Sequence, residues 1–400
     1  MLDGAEPRHR RLNGPTDRLG QDDGVRADVV DLFELDPALT HLNHGAFGAV
    51  PRVVREAQDR ARARIEAAPM RAFRDELPHQ LAAARESAAA FLGVAPDSAA
   101  LVRNVSESVA VVLQALRIGR GDDVVVSNHG YRTVTWAVQA HGGTIREAAF
   151  DLAATMTDIV AAFTDALTPD TRLVVIDQIT SPTALLLPLA EVAAAVAPVP
   201  VLVDAAHVPG ALPDLDIEAL GVAYWVGNLH KWAFAPRSAA VLWAAPERRD
   251  GLRPLVTSWS HGAPYPASFD LQGTVDHSAW LAIPDAIDFW QHLGGWDQVE
   301  RNAALLRRGA DHVAKALGAG SELSGIPSAP CMTLVPLPGG VAETTEAAES
   351  LWQQVYAAGF VVPPLSFGGR GFVRLAAHAY NDEDDYVRLA ETLVTLVGGG

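Results

Sequence analysis

The chain has 400 residues, of which 49% are apolar and 20% are charged. This composition is typical of a globular protein with a sizeable core and argues against disordered, collagen-like and coiled-coil classes. The 48 acidic residues outnumber the 31 basic ones, so no broad basic surface is expected for nucleic acid or an anionic membrane. The single cysteine, Cys331, excludes an internal disulfide framework and multi-cysteine metal sites, and we expect a cytoplasmic protein.

The N-terminal segment, residues 1–27, is polar and rich in Gly, Pro and Arg. It lacks the apolar stretch of a secretory signal, and we expect a disordered tail. No uncharged apolar run reaches the length of about 18 residues that predicts a membrane-spanning helix. We therefore expect no membrane partner.

Two helices are predicted next, over 51–68 and 78–92, the second closed by Gly93. Short apolar runs then alternate with helix-length segments, which is typical of βαβ units. The runs are ALVRN, DVVVSN, TIREAAF, RLVVID, VPVLVD and AYWVGN. They predict a three-layer α/β domain with a mostly parallel sheet. SAAVLWA follows too soon for a crossover, so it is predicted to pair antiparallel.

After a predicted helix over 278–293, the sequence GGW at 294–296 marks a break. Beyond it we expect a helix over 297–317, the strand CMTLVPLP, a helix over 344–358, short strands near Phe360 and Phe372, and a last helix from Asp382. The predicted organisation is a large domain over 28–296, which includes the N-terminal helical segment, and a smaller α+β domain over 297–400.

The chain has only two lysines, Lys231 and Lys315, and all its other basic residues are arginines. Lys315 lies near the end of a predicted helix, where the helix dipole favours a cation at the surface. Lys231 follows a predicted buried strand in YWVGNLHKWAFAP, among aromatic residues that solvate an ammonium poorly. Either its side chain extends to solvent, or its pKa is lowered and its amine forms a Schiff base with a carbonyl group.

Schiff-base lysines in enzymes usually hold pyridoxal 5'-phosphate, and two further needs of that cofactor have candidates here. Asp204, at the end of VPVLVD, could pair with the pyridine nitrogen, or it could only cap the following segment. RNVSESVAVVLQAL begins a helix whose N-terminus, with the Ser106 hydroxyl, could bind phosphate.

The spacing of Asp204, His207 and the stretch Asn228–Lys231 resembles the class V group of fold-type I pyridoxal-phosphate enzymes, from about Leu42 onwards. Within that group, which includes cysteine desulfurases and kynureninases, the chain most resembles isopenicillin N epimerases. The motifs that carry this are LNHGAFGAVPRVV, NHGYRTVTW, LVDAAHVPG, HKWAFAP and FVRLAAHAYNDEDDYVRLAETL. The resemblance implies the type I fold of pyridoxal-phosphate-dependent transferases.

The resemblance also implies roles for the cofactor-binding residues. Lys231 would hold the cofactor, Asp204 would pair with its pyridinium, and His207 and Thr180 would lie near its phenolic oxygen. Thr274 would reach the phosphate of the partner subunit's cofactor, which implies a homodimer with shared active sites. The cofactor's own phosphate would be bound by residues from two loops: Val105, Ser106, Asn228 and His230.

For the substrate, the resemblance implies a carboxylate site and a stacking ring. Arg374, in FVRLAA, would bind the α-carboxylate of an amino acid with two parallel hydrogen bonds, and Asn43 would face the same group. His129 falls where an aromatic ring stacks on the cofactor, with Tyr131 as the competing candidate. A second proton donor, which an epimerase needs, has three candidates: His44, His129 and Tyr131.

The sequence is compatible with several reactions that begin at Cα of an amino acid. The motifs favour an epimerase, while the alternatives are a C–S β-lyase acting on a cysteine S-conjugate or sulfoxide, as in ergothioneine-type biosynthesis, and a class V aminotransferase. Persulfide chemistry is disfavoured because Cys331 lies in an apolar run and not on a mobile loop. A metal site is disfavoured because His129, His207 and His230 lack ligand spacing, and a scaffold protein would not need Lys231.

Overall fold

A computed structural model of the protein describes residues 29–320 and 326–398. The tail predicted over 1–27 lies outside these residues. A seven-stranded sheet forms the centre, in the order β2-β8-β7-β6-β5-β3-β4. Its strands are β2 (Ala99–Val102), β3 (Asp123–Ser127), β4 (Thr144–Ala148), β5 (Thr171–Asp177), β6 (Val201–Asp204), β7 (Tyr224–Asn228) and β8 (Ala240–Ala244). β1, at Thr40–His41, lies outside this sheet.

Most neighbours in this sheet are parallel, as the alternating sequence pattern predicts. The pairs β3–β4, β3–β5, β5–β6 and β6–β7 are parallel. β8 pairs antiparallel with both β7 and β2, which confirms the prediction for SAAVLWA. Except for the edge strand β4, which is largely exposed, the strands are rich in Val, Leu and Ala and almost entirely buried, because helices cover both faces of the sheet. The α/β fold class predicted from the sequence is confirmed.

Helices precede the sheet, connect its strands and follow it. The predicted helices at 51–68 and 78–92 are confirmed, and Gly93 closes the second with φ +70° and its amide on the carbonyls of Ala89 and Ala90. The helix predicted over 278–293 is broken near Ala282, before Pro284, which has no amide to donate. The α-helices are His44–Phe47, Arg52–Ala67, Pro69–Arg71, Leu77–Leu92, Val105–Ala115, Arg132–Ala140, Met156–Asp165, Leu189–Val196, Ser278–Leu281, Ile283–His292, Gly295–Ala316, Thr345–Ala357 and Glu383–Gly398, with a π-helical turn at Ala72–Glu76.

The C-terminal part of the chain builds a separate three-stranded antiparallel sheet, ordered β11-β12-β9. Its strands are β9 (Met332–Pro336), β11 (Pro364–Phe367) and β12 (Arg370–Ala376), while β10 (Phe360–Val361) pairs with β1. β11 is not among the predicted strands. The sequence does not predict it, because the two consecutive prolines in VVPPLSF are typical of a turn. The helix Gly295–Ala316 begins just before the predicted domain boundary between residues 296 and 297. This boundary remains a prediction.

The fold places several loops at one edge of the central sheet. The carboxyl ends of parallel strands meet there, and ligands of open α/β sheets bind outside those ends. β3, β5, β6 and β7 end at Ser127, Asp177, Asp204 and Asn228. None of the helices in the described ranges is long and apolar enough to cross a bilayer.

Candidate active site

A cavity of about 210 Å³ lies at this edge of the sheet. It brings together most of the cofactor residues that the sequence predicts, and its lining comes from six separate segments of the chain. Its lining consists of Ala46, Phe47, Asn104, Val105, Ser106, Tyr131, Asp177, Ser181, Asp204, Ala206, His207, Asn228, His230 and Lys231.

Lys231 is the central basic group of the cavity. Its Nζ lies 3.1 Å from Nε2 of His207, and desolvation lowers the pKa of Lys231 to about 8, with the Asp204 charge opposing that shift. Burial lowers the pKa of His207 well below its ordinary value, so its ring is neutral. Because an amine with a pKa near 8 is partly unprotonated at neutral pH, Lys231 is suited to attack a carbonyl. Lys315, by contrast, is exposed at a helix end, as predicted.

The motif LNHGAFG contacts the backbone of the loop that carries Lys231. Nε2 of His44 lies 3.0 Å from the Lys231 carbonyl oxygen and donates to it, while the Tyr380 hydroxyl donates to Nδ1 at 2.9 Å. Gly48 has φ +68°, and a Cβ there would overlap the carbonyl oxygen of His230. The close approach of these two loops therefore requires glycine at this position.

Two carboxyl groups form the acidic side of the cavity. Asp204 is 3% exposed and accepts the Ala206 amide at 3.0 Å, and burial raises its pKa. Asp177, at the end of β5, is its partner in register and is 4% exposed. Burial, and then the charge of Asp204, raise the pKa of Asp177 well above the ordinary value.

The N-terminus of the helix Val105–Ala115 faces the other end of the cavity. Asn104 caps it by accepting the Glu107 amide at 2.9 Å, and Asn228 Oδ1 accepts the Val105 amide at 3.2 Å. Within the described residues, the Ser106 amide has no protein acceptor, so it is free to bind an anion. His230 donates from Nδ1 to the Ala239 carbonyl at 3.0 Å, and burial lowers its pKa to about 4.

Arg374 provides a buried positive charge near the same cavity. Its guanidinium donates to Asn43 Oδ1 at 2.8 Å and to the carbonyl oxygen of Ser181, while its buried Nε has no partner. Among the described residues no carboxylate pairs with it, and burial lowers its pKa to about 10. A buried cation without a counter-ion is matched by an anionic ligand. Asn43 and His44 line a neighbouring cavity of about 300 Å³, which shares Ala46 and Phe47 with the first.

The structure separates the two candidates for the stacking ring. His129 is fully buried outside the cavity lining, with Nδ1 on the Thr183 hydroxyl at 2.8 Å and its ring stacked 4.2 Å from Phe150. Tyr131 lines the cavity and is 45% exposed. Tyr131 is therefore the better placed of the two.

Three other residues lie away from the cavity. The Thr180 hydroxyl contacts that of Thr183 at 2.7 Å inside its own turn, and the next residue, Ser181, lines the cavity instead. Thr274 is exposed and absent from the cavity lining, and its role at a partner subunit's cofactor remains a prediction. Cys331 is buried, and burial raises the pKa of its thiol to about 12. No cluster of potential metal ligands occurs among the described residues.

Sequence reasoning missed two lining residues that carry a carboxyl or hydroxyl group, Asp177 and Ser181. Asp177 ends the apolar run RLVVID in the way that Asp204 ends VPVLVD, so the same signal was present in both runs. Ser181 had no such signal, because only the conformation of the turn after β5 decides which hydroxyl faces the cavity.

Comparisons with known proteins show the family of this chain. The family model described as Aminotransferase class-V matches residues 42–317. The isopenicillin N epimerase of Streptomyces clavuligerus is 32% identical over 91% of this chain and 96% of its own length. A probable chloroplastic L-cysteine desulfhydrase of Arabidopsis thaliana is 28% identical over 91% of this chain and 84% of its own. A variant of C-DES with glycine covalently linked to its pyridoxal phosphate cofactor matches in fold, with a TM-score of 0.75 and 21% identity over 94% of this chain and 99% of its own.

The cavity fits pyridoxal phosphate. It offers an amine of lowered pKa, a buried carboxyl at a strand end, and a free amide at a helix N-terminus, while the buried His207 Nδ1 has no hydrogen-bond partner among the residues that the structure describes. In that order, the amine matches the aldehyde of the cofactor, the carboxyl its ring nitrogen, the amide its phosphate and His207 its phenolic oxygen. The chain belongs to the class-V aminotransferase family and is an enzyme that depends on pyridoxal phosphate.

Proposed function

We propose that the enzyme is an epimerase that inverts Cα of an amino acid in the manner of an isopenicillin N epimerase. The observation that carries this is a pair of proton carriers, Lys231 and Tyr131, that line one cavity from different loops. The 32% identity to two isopenicillin N epimerases over more than nine-tenths of this chain supports the same assignment.

Pyridoxal phosphate, when bound, supplies a carbonyl for amines and a conjugated ring that acidifies the Cα–H bond. The chain's own residues then decide where protons go. Lys231, with its pKa near 8, accepts the Cα proton on one side, and its ammonium is held beside His207. Tyr131 delivers a proton to the other side, so the substrate gains and loses one proton and no other atom moves.

Arg374 fixes the substrate for this exchange. Its buried guanidinium, steadied by Asn43 and Ser181, binds the α-carboxylate of an amino acid and sets the direction of the Cα–H bond. Asp204 would hold the positive charge on the ring nitrogen of bound pyridoxal phosphate and so would strengthen the acidification of Cα–H. The neutral His207 stays close to Lys231 and adds no competing positive charge.

A C–S β-lyase is the second candidate, because the L-cysteine desulfhydrase relatives align over most of the chain. Such a reaction needs Lys231 and a sulfur leaving group, without a second proton carrier. Cys331 does not assist a persulfide route, since its buried thiol is protonated at neutral pH. Transamination would in addition need Lys231 to return its proton to the cofactor.

The three reactions leave different products in D2O. Amino acids and cysteine S-conjugates are incubated with the enzyme, and products are followed by NMR and chiral chromatography. The proposal expects deuterium at Cα with loss of optical purity, and it expects Tyr131→Phe to lose inversion while retaining exchange from one face. Pyruvate and ammonia from S-conjugates without any racemised product would contradict it, as would a keto acid with pyridoxamine phosphate.

We also propose that the enzyme works in the cytoplasm as a homodimer whose partner subunit completes each site. Exposed apolar side chains support the dimer: Trp259 is 92% exposed, and Val256 and Val275 are also exposed, on the stretch that carries Thr274. Sedimentation should give twice the chain mass of 42.4 kDa. A monomer that binds pyridoxal phosphate with undiminished affinity would contradict the shared site.

A further inference from the structure

The proposed mechanism uses Asp204 and leaves its buried neighbour, Asp177, without a role. Both residues end parallel strands and are direct partners in register, with Cα of one beside Cα of the other. Neighbouring strands lie about 4.8 Å apart, and in-register side chains of parallel strands point to the same face. Both side chains line the cavity and are almost fully buried.

Two ionised carboxylates do not share such a place without compensation. Burial and the charge of Asp204 oppose the ionisation of Asp177. The backbone amide of Tyr131, which donates to the Asp177 carboxyl group, and the charge of Lys231 favour it. Lys231 also acts on Asp204. Within the described residues no arginine or histidine forms an ion pair with either carboxyl group. Like charges this close in a poorly solvated site leave one group protonated.

We propose that Asp177 is the protonated member of the pair. The acidic side of the cavity then carries one negative charge, which lies on Asp204. The O–H of Asp177 can donate a hydrogen bond to that carboxylate, which lies on the neighbouring strand. Asp177 is a positioning residue: it acts on the cofactor through Asp204, by fixing the carboxylate and the charge presented to the ring nitrogen. The inference rests on pyridoxal phosphate binding and does not depend on which reaction follows.

Asparagine provides the test, because it matches a protonated carboxyl in size and neutrality. Apoprotein is titrated with pyridoxal phosphate, and binding is followed by tryptophan fluorescence. Asp177→Asn should keep the dissociation constant within about threefold, whereas Asp204→Asn should raise it about tenfold or more, equivalent to about 1.4 kcal/mol. Equal losses for the two variants would overturn the proposal.

Infrared spectroscopy tests the proton itself and does not require the variants to retain affinity. Protein labelled with 13C-aspartate is measured well above pH 6, where Asp270, whose pKa burial raises to about 6, is ionised. The proposal expects a protonated-carboxyl band that vanishes in Asp177→Asn. It expects the band to persist in Asp204→Asn, because burial, the largest cause of the raised pKa of Asp177, remains when the Asp204 charge is removed. No such band in the wild-type protein, or a band that vanishes only in Asp204→Asn, would overturn it. A protein that shows the band but does not epimerise refutes the proposed reaction alone.

Discussion

Replacing Arg374 by lysine tests the proposed carboxylate site while keeping a positive charge. The arginine is 8% exposed, on β12, and is held by Asn43 and by the carbonyl oxygen of Ser181. Its Nε has no hydrogen-bond partner in the described part of the chain, and with the neighbouring N–H groups it would form the planar fork that receives a carboxylate. Lysine has a single ammonium and cannot make the two parallel bonds.

The size of the effect follows from one lost charge-assisted hydrogen bond. Such a bond contributes about 1.5–3 kcal/mol, which corresponds to a dissociation constant weakened about 10- to 150-fold. Binding of pyridoxal phosphate should stay unchanged, because Arg374 is absent from the lining of the Lys231 cavity. Arg374→Lys is therefore expected to lose affinity for the substrate and not for the cofactor.

The assay is titration of the yellow enzyme with amino acids, followed by the change in visible absorbance. Arg370→Lys is a matched control, because Arg370 lies on the same strand but is exposed, with its guanidinium over the Phe372 ring. A substrate amine that lacks the carboxylate should bind Arg374→Lys and wild type equally. Equal affinity of the two proteins for the intact amino acid would refute the carboxylate role.

Three further predictions concern protonation. Burial lowers the pKa of His44 from 6.5 to about 4, so as pH falls through that interval the unfolded chain gains a proton before the folded one, and His44 contributes a loss of about 3 kcal/mol of stability. His44→Gln should reduce the slope of urea-unfolding stability against pH there by about one proton, while the other buried histidines maintain the rest. An unchanged slope would contradict this. Burial also lowers the pKa of His230 to about 4, and a phosphate bound beside it should raise that pKa, so His230 should take up a proton when pyridoxal phosphate binds. Calorimetry in buffers of different ionisation enthalpy measures this uptake, which should be absent in His230→Asn. Uptake that persists in the variant would contradict the assignment to His230. Cys331→Ser should keep activity within about twofold because the buried thiol is not a nucleophile; a loss of about tenfold or more would contradict this.

The sequence predicted the sheet and its polar edge well, because both follow from short-range patterns. Buried parallel strands are runs of Val, Leu and Ile, and the first polar residue after such a run lies at the edge where ligands bind. Asp204 satisfied this rule and was found. Asp177 satisfied it equally but was not singled out.

What the sequence could not supply is the direction of side chains within turns. His129 and Tyr131 are two residues apart after β3, and the choice between them depends on distant groups. Thr183 and Phe150 occupy both ring nitrogens of His129, which holds that ring away from the cavity and leaves Tyr131 to line it. These contacts are between residues at least 21 positions apart in the chain, so no local pattern encodes them.

The most direct test of the account is borohydride reduction of the yellow enzyme followed by peptide mass spectrometry. The chain has only two lysines, so exposed Lys315 serves as an internal control for the cavity residue Lys231. We predict that reduction fixes one pyridoxyl phosphate per chain on the peptide of Lys231, and that Lys231→Ala is neither labelled nor yellow. Label on Lys315, or a colourless protein in the presence of saturating pyridoxal phosphate, would contradict the central claim.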